Sequence, residues 1–385
     1  MPPRSERMKV AITHDWLTSF GGGERVVREL RRMFPDAPVY TAVYDPSRVP
    51  AEVREWDIRP SFLQRIPFAK RKYQLLLPLM PMAFEQFDMS GYDLVVTSSS
   101  ACAKGVITSP GAVNVCYCHT PTRYIWDLYH DYTRGHRMRA LIAPAAHALR
   151  LWDRLSADRV DHFVANSYEV ASRIRRHYRR DAELIYPPVD VDRITPTGRD
   201  PEDFYLVVAR LVPYKRVDLA VEAANRLGRR LVVVGDGPER RRLASLAGPT
   251  VEIRGWQSDE TVAHLLGRCR AFLFPGWEDF GISAVEAQAA GRPVVAFGRG
   301  GALETVVDGK TGVLFEEQTA DSLAEAMLRA ERTAFDPGVC RRNAERFGSE
   351  VFRAKLGASI ERQLQAARAA RPTLPAGADP LLESA

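Results

Sequence analysis

Cysteine is scarce: there are five in 385 residues, an odd number without paired spacing. That excludes a disulfide-stapled scaffold and fits a reducing cytoplasm. Cys116-Tyr117-Cys118 has no second Cys/His pair at zinc spacing, so it reads as buried strand rather than half a metal site. No apolar run approaches the roughly 20 residues needed to cross a bilayer. The opening MPPRSER lacks the apolar core of a secretory signal and runs straight into a strand, so the expected location is cytoplasmic. Neither half of the chain combines a G-x-G-x-x-G fingerprint with an acidic residue about 20 positions on, and no P-loop Lys-Ser/Thr follows a glycine loop. A D-x-D motif at a strand end, of the kind that holds a divalent metal, is also missing. Asp190-Val-Asp192 has that spacing but sits in a proline-rich turn, so no metal is expected.

Charge is present, but unevenly placed. Residues 1–190 hold 27 Arg/Lys against 21 Asp/Glu, whereas residues 191–385 hold 27 against 27. A basic first half suggests an anionic partner or a membrane surface, and a neutral second half argues against nucleic acid bound along the whole chain. Arg175, Arg176, Arg179 and Arg180 either belong to that surface or are simply the solvated face of a helix.

Short apolar runs alternate with helical periods. Residues 8–14, 93–98, 113–118 and 162–166 read as strands in the first half. From Phe204 the alternation restarts, with strands at 204–210, 230–237, 251–255, 271–275 and 293–297 around helices at 217–227, 238–247 and 259–268. The pattern predicts two α/β, doubly wound, Rossmann-like parallel sheets. The expected division is 1–190, then 191–345, a helical tail over 346–370, and a disordered end over 371–385. Ligands of such sheets bind beyond the C-terminal strand ends, where the notable residues fall.

Gly21-Gly22-Gly23-Glu24 follows the first strand and opens a helix, so its backbone could face an anion; a tight turn would also place glycine there. "ARLVPYKR" puts Arg210 and Lys215 after the first strand of the second half, a fork and a point charge suited to a pyrophosphate. "FPGWEDFGISAVEAQAAGRP" sets Glu278 in a loop and Glu286 eight positions on, in a short helix. Ser283 and Glu286 fit a capping box, which would make Glu286 structural. That leaves Glu278 unexplained. A carboxylate beside free helix N-terminal amides suits a polyol bound next to a phosphate.

"E-D-F-G-I-S-A-V-E" resembles the E-x7-E signature of retaining glycosyltransferases of family four, the group 1 type with a GT-B fold. "VARLVPYKR", "VVGDGPE", "GWQSDE" and "GGALETVVDGKTGVLF" follow in that family's order. "HDWLTSFGGGERV" and "CYCHTPTRYIWDLYHDY" look like the subgroup of O-antigen and capsular mannosyltransferases. The resemblance spans roughly residues 8–360. It implies transfer of a hexose from a nucleotide sugar, GDP-mannose first and UDP-glucose, UDP-galactose or UDP-GlcNAc as alternatives, to a lipid-linked or glycan acceptor. By the resemblance Gly22 and Gly23 approach the donor, and Arg210 and Lys215 neutralise its diphosphate. Glu278 grips the sugar, with Phe280, Gly281 and Ile282 offering N–H groups; Glu286 holds the ribose. Arg254, Gly255 and Trp256 face the base. His119 contacts the sugar from the opposite wall, or is a satisfied buried histidine.

The acceptor is expected in the first half. Arg123, Tyr124, Trp126, Asp127, Tyr129 and Tyr132 cluster beyond His119, either as a binding wall or as aromatic core. Residues 62–82 mix apolar side chains with Arg65, Lys70, Arg71 and Lys72, as an amphipathic segment at the inner membrane face would. The helical tail is expected to cross back to the first domain. A two-domain Rossmann oxidoreductase and a non-catalytic sugar-nucleotide binder are the competing readings.

Overall fold

The apolar runs form the centres of two parallel sheets, buried on both faces. The computed structural model describes residues 8–133, 139–196, 198 and 200–370; the expected disordered end at 371–385 and the Tyr132 side chain lie outside the described residues. The first sheet contains β1 (Val10–His14), β2 (Val39–Thr41), β3 (Ile58–Pro60), β4 (Leu94–Ser99), β5 (Val113–Cys118), β6 (His162–Ala165) and β7 (Ala182–Leu184). Its order is β3-β2-β1-β4-β5-β6-β7, with every neighbour parallel. The second contains β8 (Tyr205–Val208), β9 (Leu231–Val234), β10 (Val251–Gly255), β11 (Ala271–Phe274), β12 (Val294–Phe297) and β13 (Gly312–Phe315), ordered β10-β9-β8-β11-β12-β13 and again parallel.

Alternation along these strands feeds two cores. Leu206, Val232, Phe272 and Val294 pack one face of the second sheet under the helix Ile282–Ala289; Tyr205, Val207, Leu231 and Leu273 pack the other under the helices Val217–Leu227 and Ala320–Arg332. Because both faces need apolar cover, the strands read as unbroken Val/Leu/Phe runs. Each sheet reverses its strand order once, between β1 and β4 and between β8 and β11. A crevice opens at the carboxyl end of such a switch point.

Several sequence expectations need revision. The strands β2, β3 and β7 have three residues each, too few for a pattern. Residues 62–82, expected as an amphipathic segment, are not one continuous element. They divide into the short turns Phe62–Arg65, Ala69–Lys72 and Tyr73–Leu79 and the start of Met80–Glu85, with Pro67 between the first two. The Ser283–Glu286 capping box is not made: the helix Ile282–Ala289 starts from Gly281, which has φ +92, and no side chain caps it. A side chain on Gly281 would also meet the Phe274 ring at 2.5 Å, so both conformation and space demand glycine.

The helix Ser349–Ala369 lies on the first sheet. Phe352, Leu356 and Ile360 enter its core beside Val10, Ile12 and Val115, and the Phe352 ring meets Tyr117 edge-on at 5.4 Å. Ser359 Oγ donates to Glu183 at 2.6 Å and Arg362 pairs with Glu183 at 2.7 Å. Among the described residues no helix is long and apolar enough to cross a membrane.

Candidate active site

A cavity of about 1090 Å³ lies between the facing strand ends of the two sheets. Its walls include Gly22, Gly23, His119, Arg123 and Tyr124 from the first domain. Arg210, Lys215, Trp256, Glu278, Phe280, Gly281, Ile282 and Glu286 line it from the second. The two cations and the loop carboxylate therefore share one hollow.

On the second-domain side, Lys215 Nζ forms an ion pair with Glu278 Oε2 at the end of β11. Gly301 N–H donates to the Glu278 carbonyl at 2.9 Å, which fixes the loop. Arg210 is exposed beyond β8 and makes no ion pair among the described residues, so its guanidinium is available to an anion. Glu286 is buried. Its Oε1 accepts from Arg25 at 2.6 Å and from Arg193 at 3.3 Å, one guanidinium from the first domain and one from the linking segment. Burial alone would depress Arg25, but the charge and hydrogen bond of Glu286 hold it above its ordinary value.

On the first-domain side, the helix Gly22–Met33 starts at the cavity, and Glu24 folds back to accept from Gly21 N–H at 2.9 Å. A methyl group on Gly22 would lie 2.8 Å from Ile282 Cδ1, so the close approach expected of this loop is made by a side chain of the other domain. His119 follows β5. Its Nε2 lies 2.8 Å from Ser98 Oγ, and desolvation, with His14 nearby, pushes its pKa down to about 3, so the ring is neutral.

Five expected residues do not line the cavity. Arg254 folds back on Glu252 of its own strand, at 2.8 and 3.0 Å, and the adjacent Gly255 is likewise off the wall. Trp126 donates to Asp153 at 2.7 Å and stacks on His177 at 4.7 Å. Asp127 accepts from His177 at 3.0 Å, and Tyr129 is buried beneath the Arg150 guanidinium, 4.5 Å away. These three brace the first domain. The buried Lys104–Asp153 ion pair anchors the same cluster, with Thr122 and Tyr178 also donating to Asp153.

Sequence reasoning missed other groups. Asp15 is buried just beyond β1 and accepts from the N–H groups of Ser100, Ala101, Cys102 and Ala103, shaping the loop beyond β4. Asp279, next to Glu278, is held across the cleft by Arg123 and by Arg173, the latter at 2.6 Å. Glu304 accepts from Tyr168 N–H at 3.0 and 3.1 Å, a further cross-domain contact. Adjacency to Glu278 was the one sequence signal, and it pointed only to Asp279.

Two parallel-sheet α/β domains closing on a cavity at both switch points define the GT-B glycosyltransferase fold. HepE from Anabaena, solved in complex with UDP and glucose, shares it with a TM-score of 0.70 at 18% identity, covering 92% of this chain and 100% of that one. Sucrose-phosphate synthase from Thermosynechococcus elongatus gives 0.71 at 21% identity, over 94% and 100%. Residues 20–193 match the family model for Glycosyltransferase Family 4 and residues 192–347 that for Glycosyl transferases group 1. Taken end to end, the two models account for residues 20–347, so the two halves of the chain are similar to the two domains of group 1, family 4 glycosyltransferases.

Among its relatives, the GDP-mannose-dependent alpha-(1-6)-phosphatidylinositol monomannoside mannosyltransferase of Mycolicibacterium smegmatis is 32% identical over 247 residues, 55% of this chain and 63% of that protein. The D-inositol 3-phosphate glycosyltransferase of Mycobacteroides abscessus is 32% identical over 202 residues, 45% of each. The chain spans about half the length of the curated relatives it matches.

Proposed function

We propose that this protein is a retaining glycosyltransferase that moves mannose from GDP-mannose to a lipid-linked or glycan acceptor in polysaccharide assembly. The observation that carries the reading is the gathering of Arg210, Lys215 and Glu278 round one cavity. Breaking the bond between the anomeric carbon and phosphate leaves an electron pair on the diphosphate oxygen. Arg210, Lys215 and the amino end of the helix Ile282–Ala289 stabilise that charge where it develops. Glu278 accepts from hydroxyls of the sugar and holds it for same-face attack. The acceptor oxygen forms the new bond, and its proton passes to the departing phosphate oxygen. Trp256, 76% exposed on the wall, is the surface left for the base.

The choice of GDP-mannose rests on the subgroup motifs and on the mannosyltransferase relative; the complex of HepE with UDP and glucose favours a uridine donor as the second reading. A thermal-shift panel of nucleotide sugars decides between them, since a matched ligand at 100 times its Kd stabilises by about 2.7 kcal/mol. GDP-mannose is expected to give the largest shift. A larger shift with a UDP-sugar overturns the donor assignment, and no shift with any nucleotide sugar overturns the reading.

The acceptor is proposed to arrive from a membrane surface. Tyr73, Gln74, Leu77 and Met80 line the cavity, while the same stretch leaves Phe68 73% and Leu75 74% exposed beside exposed Lys70, Arg71 and Lys72. Apolar anchors among cations suit an anionic bilayer and would bring a lipid diphosphate close to Arg123.

A further inference from the structure

His14, Ser98 and His119 form a chain of hydrogen bonds in which the protons between the three groups can be placed. Strand register creates it: His14 of β1 is the partner of Ser98 in β4, Ser98 is the partner of Tyr117 in β5, and His119 lies two positions beyond Tyr117 on the same face. His14 Nδ1 is 3.1 Å from the Ser98 carbonyl oxygen and 3.1 Å from Ser98 Oγ. A carbonyl only accepts, so His14 carries its proton on Nδ1. Ser98 Oγ has His14 Nδ1 and His119 Nε2 as its partners among the described residues, and Ser98 is fully buried. With His14 Nδ1 already protonated, the hydroxyl proton has one acceptor, His119 Nε2. The opposite arrangement would strand a buried donor, at a cost of one unmade hydrogen bond.

We propose that His14 and Ser98 are positioning residues that lock His119 in the Nδ1–H tautomer, so that its ring presents a hydrogen-bond donor to an oxygen of the transferred sugar. Nδ1 of His119 has no acceptor among the described protein groups, and the ring lines the cavity against Gly23. With Nε2 occupied by the Ser98 hydroxyl and Nδ1 carrying the proton, His119 has no free basic nitrogen and does not act as a general base. The inference rests on the proposed transfer reaction only for the identity of that oxygen.

Histidine-selective nitrogen-15 labelling of the full chain reads the tautomer in the unaltered protein, with one variant used only for assignment. Correlations from ring protons to ring nitrogens, assigned with His119→Gln, are expected to show a protonated Nδ1 and a pyridine-type Nε2 for His119; a protonated Nε2 overturns the proposal. In Ser98→Ala the Nε2 resonance is expected to move as the fixed tautomer is lost. The donor KM is expected to rise about 2- to 10-fold with kcat unchanged. An unmoved resonance, or a fall in kcat with KM constant, counts against it. If the tautomer is as stated but no nucleotide sugar is turned over, the functional reading fails and the positioning inference stands.

Discussion

Lys215 and Glu278 neutralise each other at the cavity wall, each with 16% of its side chain exposed. A ligand that brought a phosphate to Lys215 and hydroxyl groups to Glu278 would replace this pairing on both sides, so neither charge would be left buried alone. In the proposed reaction Lys215 turns to a phosphate and Glu278 to hydroxyl groups. Replacing Glu278 by Gln keeps the shape and removes a charged acceptor worth roughly 1.5–3 kcal/mol. In steady-state assays kcat/KM for the donor should fall about ten- to a hundred-fold, while the nucleoside diphosphate alone binds no worse. Wild-type turnover would remove Glu278 from the reaction. Glu278 was legible because it sits at a strand end beside a helix that Gly291 and Pro293 close. Arg25, Arg193 and Asp15 were not, because their partners lie far along the chain and no local spacing encodes such a pairing.

At the scale of elements, the second domain was readable almost strand by strand, since parallel strands buried on both faces leave unbroken apolar runs. Three-residue edge strands such as β3 and β7 carry too little pattern, and register is not written in any single strand. Register nonetheless decides the site: it brings Ser98 beside His14 and, through β5, His119 beside both. The glycine loop before the helix Gly22–Met33 shows the same limit. Three glycines announced a close approach; that Ile282 is what comes close emerged only from the packing of two domains. Gly22→Val should force Ile282 away. Overpacking of this kind costs about 1–3 kcal/mol, so the melting temperature should fall by a few degrees and kcat/KM should drop as the two elements are pushed apart. Unaltered kinetics would show that these two elements need not meet during turnover.

At the scale of the molecule, carboxylates of the second domain are held by groups of the first: Glu286 by Arg25, Asp279 by Arg123 and Arg173, and Glu304 by the Tyr168 N–H. Together with the helix Ser349–Ala369 lying on the first sheet, they join the halves around the cavity. In the proposed reading the outer side of residues 62–82 faces lipid. Binding to anionic vesicles at low salt should weaken in a Phe68→Ser, Leu75→Ser double variant. Failure of the wild type to bind such vesicles would remove the membrane from the account.

The central claim is that the cavity holds a nucleoside diphosphate through Arg210 and Lys215. Calorimetric titration of GDP, and of UDP in parallel, into the wild type and into the Arg210→Ala, Lys215→Ala double variant tests it most directly. Two lost charge-assisted contacts, roughly 1.5–3 kcal/mol each, predict that the preferred nucleotide binds the folded variant at least about a hundred-fold more weakly. Equal affinity for the two proteins would contradict the account.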